Sequence, residues 1–433
     1  MNLIKRILDS NLFKSAFVYG ISSAINGALP FLLLPILTRF LSPEDYGLVT
    51  VFTTLISFYN VFIGLNVNGA VFNKFFFLKN NPNHNFSDYI SNVVLLLIST
   101  TLLVLILTFL FLPQIISFTQ LPPSWIFIAA STSFFQYLIL IRLAVYQAAQ
   151  KPKNYGLLLC AQSVINIALS LLFVISMNLG WQGRAWAICS ALYIIGLYSL
   201  YKIIKEYGFY FKPSFKYLSE ILKFGIPLVP HTLGAILISL ADRFIITKLM
   251  SVADAGLYQA GIQISMGILF LTDAFNKAYS PWLYSSLQQK SEGLNLKIVK
   301  FTYLYFIVIF SIATVLAILP EGFFIWILGE KFKNAKDYIT WSGYAYAFNG
   351  MYLMVCNYIF YSEKTKYLAY VTLPLGLLNI VLSYYLTLKV GVIGASISMC
   401  ISYMLMFLLT WYVSAKLVKM PWKLKTFEQK GSK

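Results

Sequence analysis

Arg243 stands inside the apolar run ISLADRFIITKL, with Asp242 beside it and His231 eleven residues before that aspartate. A charged side chain in such a run costs ~2.5–3.5 kcal/mol on insertion scales, so it faces a partner or a water-filled cavity. A guanidinium there offers a planar fork of donors that fits phosphate or carboxylate oxygens, and it stays charged at any relevant pH. The adjoining carboxylate can answer a cation or orient a neighbouring helix. Helical residues advance by about 100°, so His231 and Asp242 share a face within roughly 20°, while Arg243 points about 100° away from Asp242. Asp273 and Lys277 form a second set, one helical turn apart. Arg142, Lys74 and Arg39 sit near the ends of other apolar runs. Each has a plainer reading. Asp242 and Arg243 can neutralise each other to permit insertion. Arg142, Lys74 and Lys277 can reach the headgroups along their own stems. His231 follows Pro227 and Pro230 and can simply fill a kinked helix.

Composition supplies the elements that must hold these residues. Of 433 residues 59% are hydrophobic and 11% charged, and mean hydropathy is +0.74. A soluble protein carries roughly 25% charged residues, and a helix crosses a bilayer with ~20 apolar ones. Twelve such runs are expected, at roughly 15–37, 46–66, 90–112, 123–147, 155–177, 184–204, 220–249, 254–274, 298–320, 337–360, 367–388 and 391–416. The fold class is therefore all-α and integral to the membrane. The first run lies close to the start and is followed by more, so it reads as an anchor and not a cleaved signal.

The net charge of +18 follows from topology. With the amino terminus inside, 25 of the 33 Lys and Arg fall on the inner side and seven on the outer side, Arg184 among the seven, leaving Arg243 alone within a span. This is the positive-inside pattern, and it expects both termini in the cytoplasm. The basic residues are scattered over many loops, which argues against nucleic acid as a partner. Cys160, Cys189, Cys356 and Cys400 all fall within spans and have no metal spacing. The acceptor-like triplet at Asn85 falls in an inner loop.

The chain repeats itself. TRFLSPEDYGLV at 38–49 returns as TKLMSVADAGLY at 247–258, and FNK at 72–74 returns at 275–277. NIALS at 166–170 returns as NIVLS at 379–383, and GWQGRAWAIC at 180–189 as GVIGASISMC at 391–400. Four echoes in one order imply two six-helix halves. Six spans return the chain to its starting side, so the halves are parallel and related by a pseudo-two-fold axis along the membrane normal. The expected division is an amino-terminal bundle at 1–206, a cytoplasmic linker at 207–219, a second bundle at 220–418 and a basic tail at 419–433. Ser42, Pro43 and the acids after them make a helix start. Asp242 and Arg243 have no charged counterparts; at the same spacing stand Leu33 and Leu34.

There is no GxxxxGK loop, no HExxH and no Asp-x-Asp pair. The loops are short, so the expectation is a transporter and not an enzyme, without a cofactor or metal.

LPILTRFLSPEDYGLV, SLADRFIITKLMSVADAGLYQAGIQIS, FNKAYSPWLY and YQAAQKPKNY together resemble the polysaccharide-transport branch of the multidrug/oligosaccharidyl-lipid/polysaccharide exporter superfamily. Within it the pattern is similar to the Wzx-type O-antigen flippases. The resemblance runs from about residue 13 to 415 and is strongest over ADRFIITKLMSVADAGLY. It implies a protein of the bacterial plasma (inner) membrane that carries an undecaprenyl-diphosphate-linked oligosaccharide to the outer leaflet. Two six-helix bundles would rock around a cationic cavity, with coupling to a proton or sodium gradient. Lipid-linked oligosaccharide, membrane lipids, a coupling cation and other polysaccharide-assembly proteins are the implied partners. On that reading Arg243, Asp242, His231, Arg142, Arg39, Lys74 and Lys277 are the candidate substrate-binding residues, and Asp242 and Asp273 the candidate ion-coupling residues. The alternatives are a drug or cation antiporter of the same superfamily, whose cavity would be acidic or apolar, and a polysaccharide polymerase or ligase, which needs a large outer loop. The major-facilitator fold shares the six-plus-six count, but its signature is a basic loop after helix two.

Overall fold

The computed structural model describes residues 27, 33–79, 86–288, 292–362, 364 and 366–422. Most of the expected first span therefore lies outside the described residues, as do the segment before it, His84, Asn85, Lys290 and the tail from 423 onward. Residues 33–40 are helical. Fifteen α-helices follow: α1 (Pro43–Gly64), α2 (Val67–Lys79), α3 (Phe86–Leu110), α4 (Leu112–Thr119), α5 (Pro123–Ala148), α6 (Pro152–Ser170), α7 (Gly180–Tyr207), α8 (Phe215–Gly225), α9 (Val229–Leu249), α10 (Val252–Gln288), α11 (Glu292–Ile318), α12 (Glu321–Leu328), α13 (Lys336–Tyr361), α14 (Lys366–Val390) and α15 (Ile393–Leu417). No strand occurs among the described residues.

Among the described residues ten helical stretches are long and apolar enough to cross a membrane. They match ten of the twelve expected runs. An eleventh run forms α13, which has the length of a span but carries Tyr338, Tyr344, Tyr346, Tyr352, Tyr358, Asn349 and Asn357. Most of α13 is buried among its neighbours. A helix that meets little lipid has no need of a wholly apolar surface.

The expected helix start is present. Ser42 Oγ accepts the Asp45 backbone N–H at 3.0 Å, and the Asp45 carboxylate accepts the Ser42 backbone N–H at 3.2 Å, so the two close a reciprocal cap. The twin repeats it: Ser251 Oγ accepts the Asp254 N–H at 3.0 Å and donates to the Asp254 carboxylate at 2.6 Å. Each such cap is worth about 1 kcal/mol.

The chain forms two units. Unit one takes the residues up to Ile236 together with Arg243–Leu257; unit two takes Leu237–Asp242 and the chain from Tyr258. Unit one is built around α5. Its Trp125, Ile126, Ala129, Ala130 and Ile141 are buried against Phe52, Ile56 and Tyr59 of α1 and against Ala185 and Cys189 of α7. Small and hydroxylated residues bring these helices close, as expected where lipid offers no hydrophobic drive between them. Ser133 Oγ donates to the Ile56 carbonyl at 3.0 Å, and a Cβ on Gly196 would meet the Phe135 carbonyl at 2.9 Å. In unit two α13 and α15 are held in the same way, with Ser414 Oγ donating to the Val355 carbonyl at 2.7 Å. Apolar residues left exposed, such as Leu102, Ile106 and Phe109 of α3 or Leu304 and Ile307 of α11, form the faces a bilayer would cover. All four cysteines are free thiols.

Candidate functional site

The two capped helix starts meet. A Cβ on Gly47 would lie 1.9 Å from the Val252 carbonyl oxygen, and one on Gly256 would lie 1.9 Å from the Pro43 carbonyl oxygen. The repeated glycines thus let the first turns of α1 and α10 cross at backbone contact, each glycine receiving the other helix. Nearby, α4 holds the end of α9: the Gln120 amide donates to the Thr247 carbonyl at 2.9 Å, and Lys248 Nζ donates to Ser117 Oγ.

Further along unit one a row of amides crosses α1, α2, α5 and α9. The Asn60 amide donates to Gln136 Oε1 at 2.7 Å, the Tyr137 hydroxyl donates to Asn68 Oδ1 at 2.7 Å, and the Thr232 hydroxyl donates to Asn66 Oδ1 at 3.1 Å. Asn66 and Leu65 have left-handed backbone, which turns the chain between α1 and α2. Asn60 Oδ1 and Asn66 Nδ2 are buried and have no hydrogen-bond partner among the described residues. His231 is half-buried and adjoins Thr232 at the start of α9.

At the end of this row lie two ion pairs. Lys74 of α2 meets Glu220 of α8 at 2.8 Å, both half-exposed. The Arg142 guanidinium grips the Glu206 carboxylate with both forks, at 2.5 and 2.8 Å, and stacks over the Tyr146 ring with its carbon 4.1 Å from the centroid. Arg142 is fully buried. It does not reach out to headgroups as its stem allows, because Glu206 satisfies it within the protein.

Unit two repeats part of this scheme. Lys277 pairs with Asp273 at 2.7 Å, one turn away as the spacing implied. Lys74 and Lys277 occupy the same position in the two echoes, and each is matched by a carboxylate. Asn276, next to Lys277, accepts the Asn357 amide at 2.7 Å and so ties α10 to α13. The echoed asparagines are hubs. Asn379 Oδ1 accepts from Ser398 at 2.8 Å and Ser402 at 3.0 Å, and its amide donates to the Leu237 carbonyl at 3.1 Å. Asn166 instead accepts from Arg184, which also donates to Ser170.

Arg184, expected on the outer side, is the fifth residue of α7 and is buried. Arg142 is buried as well. Arg243 itself is buried, 2% exposed. Asp242 is fully buried and accepts a hydrogen bond from the Tyr258 hydroxyl. Arg39 is exposed. The structure therefore brings Asp273 to Lys277 and gives Arg142, Lys74 and Asp242 separate partners. Glu206, Glu220 and Tyr258 went unnoticed in the sequence because each lies 16 or more residues from its partner. The hubs had a readable signal: an asparagine repeated at one position of two apolar runs must find buried partners. Among the described residues no group of three His, Cys, Asp or Glu could hold a metal ion.

Two Haemophilus influenzae proteins are similar over most of their length. One, "Lsg locus putative protein 1", is 27% identical over 366 residues, covering 82% of this chain and 86% of that protein. The other, "Uncharacterized membrane protein", is 28% identical over 367 residues, covering 83% and 86%. The fold is shared with an inward-facing multidrug resistance MATE family transporter of the MOP superfamily, at TM-score 0.70 and 14% identity over 93% of this chain and 97% of that one. It is also shared with the lipid II flippase MurJ in an inward closed conformation, at TM-score 0.67 and 15% identity over 93% and 87%. Residues 36–337 match the family described as "Polysaccharide biosynthesis protein". This multi-span membrane protein belongs to that polysaccharide biosynthesis family.

Proposed function

We propose that this protein is a flippase that moves an undecaprenyl-diphosphate-linked oligosaccharide from the cytoplasmic to the periplasmic leaflet of the bacterial plasma membrane. Both termini lie in the cytoplasm. The halves 1–206 and 220–418, joined by 207–219, alternate access around the site, and an ion gradient drives the cycle with Asp242 and Asp273 as the coupling carboxylates. Arg243 holds the anionic headgroup; Arg39, His231, Arg142, Lys74 and Lys277 are the further candidate contacts, the last three as members of ion pairs with Glu206, Glu220 and Asp273. Other polysaccharide-assembly proteins hand over and receive the lipid-linked unit.

The observation that carries this reading is the amide row of unit one. Asn60, Asn66, Asn68 and Gln136 offer donors and acceptors together, which is what sugar hydroxyls require. The acids near the row, Glu206 and Glu220, are each committed to a cation. A site for cationic drugs would instead keep acids unmatched. The family and the fold shared with a lipid II flippase support the same reading, while the fold shared with a multidrug transporter keeps drug export as its competitor.

The test is a deletion in the native host, followed by recovery of lipid-linked saccharides. Flipping predicts that complete repeat units accumulate on the cytoplasmic face and that surface polysaccharide falls. Normal surface polysaccharide with greater sensitivity to cationic drugs would transfer the function to the competitor.

A further inference from the structure

The hairpin of α10 and α11 in unit two carries an aromatic column outside the site described above. Phe275 stacks on Tyr305 at 4.7 Å and on Tyr279 at 5.7 Å, and Phe301 lies 6.1 Å from Phe275 and 6.0 Å from Tyr279. Trp282 extends the column, 5.6 Å from Tyr279. Phe275, Tyr279, Trp282, Phe301 and Lys297 line a groove of about 450 Å³. Tyr279 is buried at its floor, while Trp282 and Phe301 stand 45% and 40% exposed at its edge. The rings brace each other across two helices, so the walls hold the groove open.

A second hollow on α11 shows what an ordinary lipid-facing surface looks like here. It is lined by Ile307, Val308, Ser311, Ile312 and Val315 and contains no charge. The aromatic groove differs in its rigid walls and in its cation. Lys297 lies five residues into α11, and Trp282 six residues before the end of α10. At 1.5 Å per residue both stand about 8–9 Å from the end of the hairpin, whereas Phe275 lies about 20 Å from it. A positive charge thus marks the shallow end, and an apolar wall continues about 10 Å deeper. Lys300, exposed three residues on, adds charge on an adjoining face. Lys277, by contrast, is already matched by Asp273.

The geometry points to this groove as a binding site for an anionic phospholipid, with one acyl chain against the Phe275–Phe301 wall and the phosphate on Lys297. A bilayer supplies this occupant, because both helices of the hairpin are long and apolar enough to cross one. Charge complementarity selects the anionic lipid: a lysine near an anionic surface attracts it by about fivefold. With the orientation proposed above, the lipid comes from the cytoplasmic leaflet. The site itself does not depend on transport or on that orientation.

Trp282 provides the probe. The purified full chain is placed in phosphatidylcholine nanodiscs containing a small fraction of phosphatidylglycerol or phosphatidylcholine brominated on the acyl chains. The chain has eight tryptophans, so the Trp282 signal is the difference between the wild type and Trp282→Phe. Brominated phosphatidylglycerol should quench that signal about fivefold more effectively than brominated phosphatidylcholine. Lys297→Gln should abolish the preference while quenching by phosphatidylcholine persists, which shows that the groove is still folded. Equal quenching by the two lipids in the wild type, or a preference that survives Lys297→Gln, overturns the proposal. Unlabelled undecaprenyl phosphate that displaces the brominated lipid at far lower fractions than unlabelled phosphatidylglycerol does would also overturn it, and would assign the groove to an isoprenoid carrier.

Discussion

Two buried arginines have different standings. Arg142 has its counter-charge at 2.5 Å and a tyrosine ring beneath it. Glu206→Ala would leave that guanidinium buried and unmatched, a change that costs about 3–5 kcal/mol for fully buried pairs and less here because Glu206 is partly exposed. The expected outcome is a clear drop in the melting temperature of purified protein, partly recovered when Arg142→Met is added. Unchanged melting of Glu206→Ala would show that the pair is incidental. Leu34 stands at the repeat position of Arg243, so this charge is not part of the shared scaffold, and Arg243 is proposed to meet the substrate. Arg243→Ala and Arg243→Glu should therefore leave folded protein in the membrane but abolish export, with Arg243→Lys partly active. Normal export by well-expressed Arg243→Glu would end that assignment. The sequence showed both arginines but could not separate them, because Glu206 lies 64 residues from Arg142 and reads only as part of a basic loop.

At the scale of elements, the repeated motif explains itself through its glycines. The cap at Ser42 was legible because a capping box closes within four residues. The crossing of α1 and α10 was not, since nothing local tells a close-approach glycine from a spacer. Gly47→Ala and Gly256→Ala should each lower the melting temperature, because either Cβ would fall 1.9 Å from a carbonyl oxygen. Both act on one contact, so the double variant should cost less than the sum of the singles. Additive losses, or tolerance of either alanine, would separate the motif from the crossing. The segment between α7 and α8 is a second case. Expected as part of a linker, it is also clamped to the start of α3: Asn92 accepts the Ser214 N–H at 2.8 Å and donates to the Lys212 carbonyl at 3.2 Å, while Ser91 accepts the Tyr210 N–H at 3.1 Å. Asn92→Leu should speed tryptic cleavage after Lys212 and Lys216, followed by gel electrophoresis of purified protein. Equal cleavage rates would contradict the clamp.

For the whole molecule, hydropathy sufficed for the class of fold, and the expected runs at 90–112 and 391–416 return as α3 and α15 within a few residues. Long apolar runs are legible because the bilayer sets their length. The polar row of Asn60, Gln136, Asn66 and Asn68 was hidden, since each amide looks like an isolated interruption until tertiary contacts align it. The proposed orientation rests on the distribution of lysine and arginine. A reporter active only in the cytoplasm should signal when fused after Lys79, Lys153 or Lys216 and be silent after Leu121 or Lys333; swapped signals at two of these sites would invalidate the twelve-span reading. Reconstitution asks whether this chain by itself moves a lipid-linked oligosaccharide across a bilayer. Purified protein is placed in proteoliposomes carrying a labelled undecaprenyl-diphosphate oligosaccharide, with an ion gradient imposed and an impermeant sugar-oxidising reagent added outside. The account predicts that the protected half of the label becomes reactive with the wild type and stays protected with Arg243→Glu. Protection as complete with the wild type as in protein-free liposomes would contradict it.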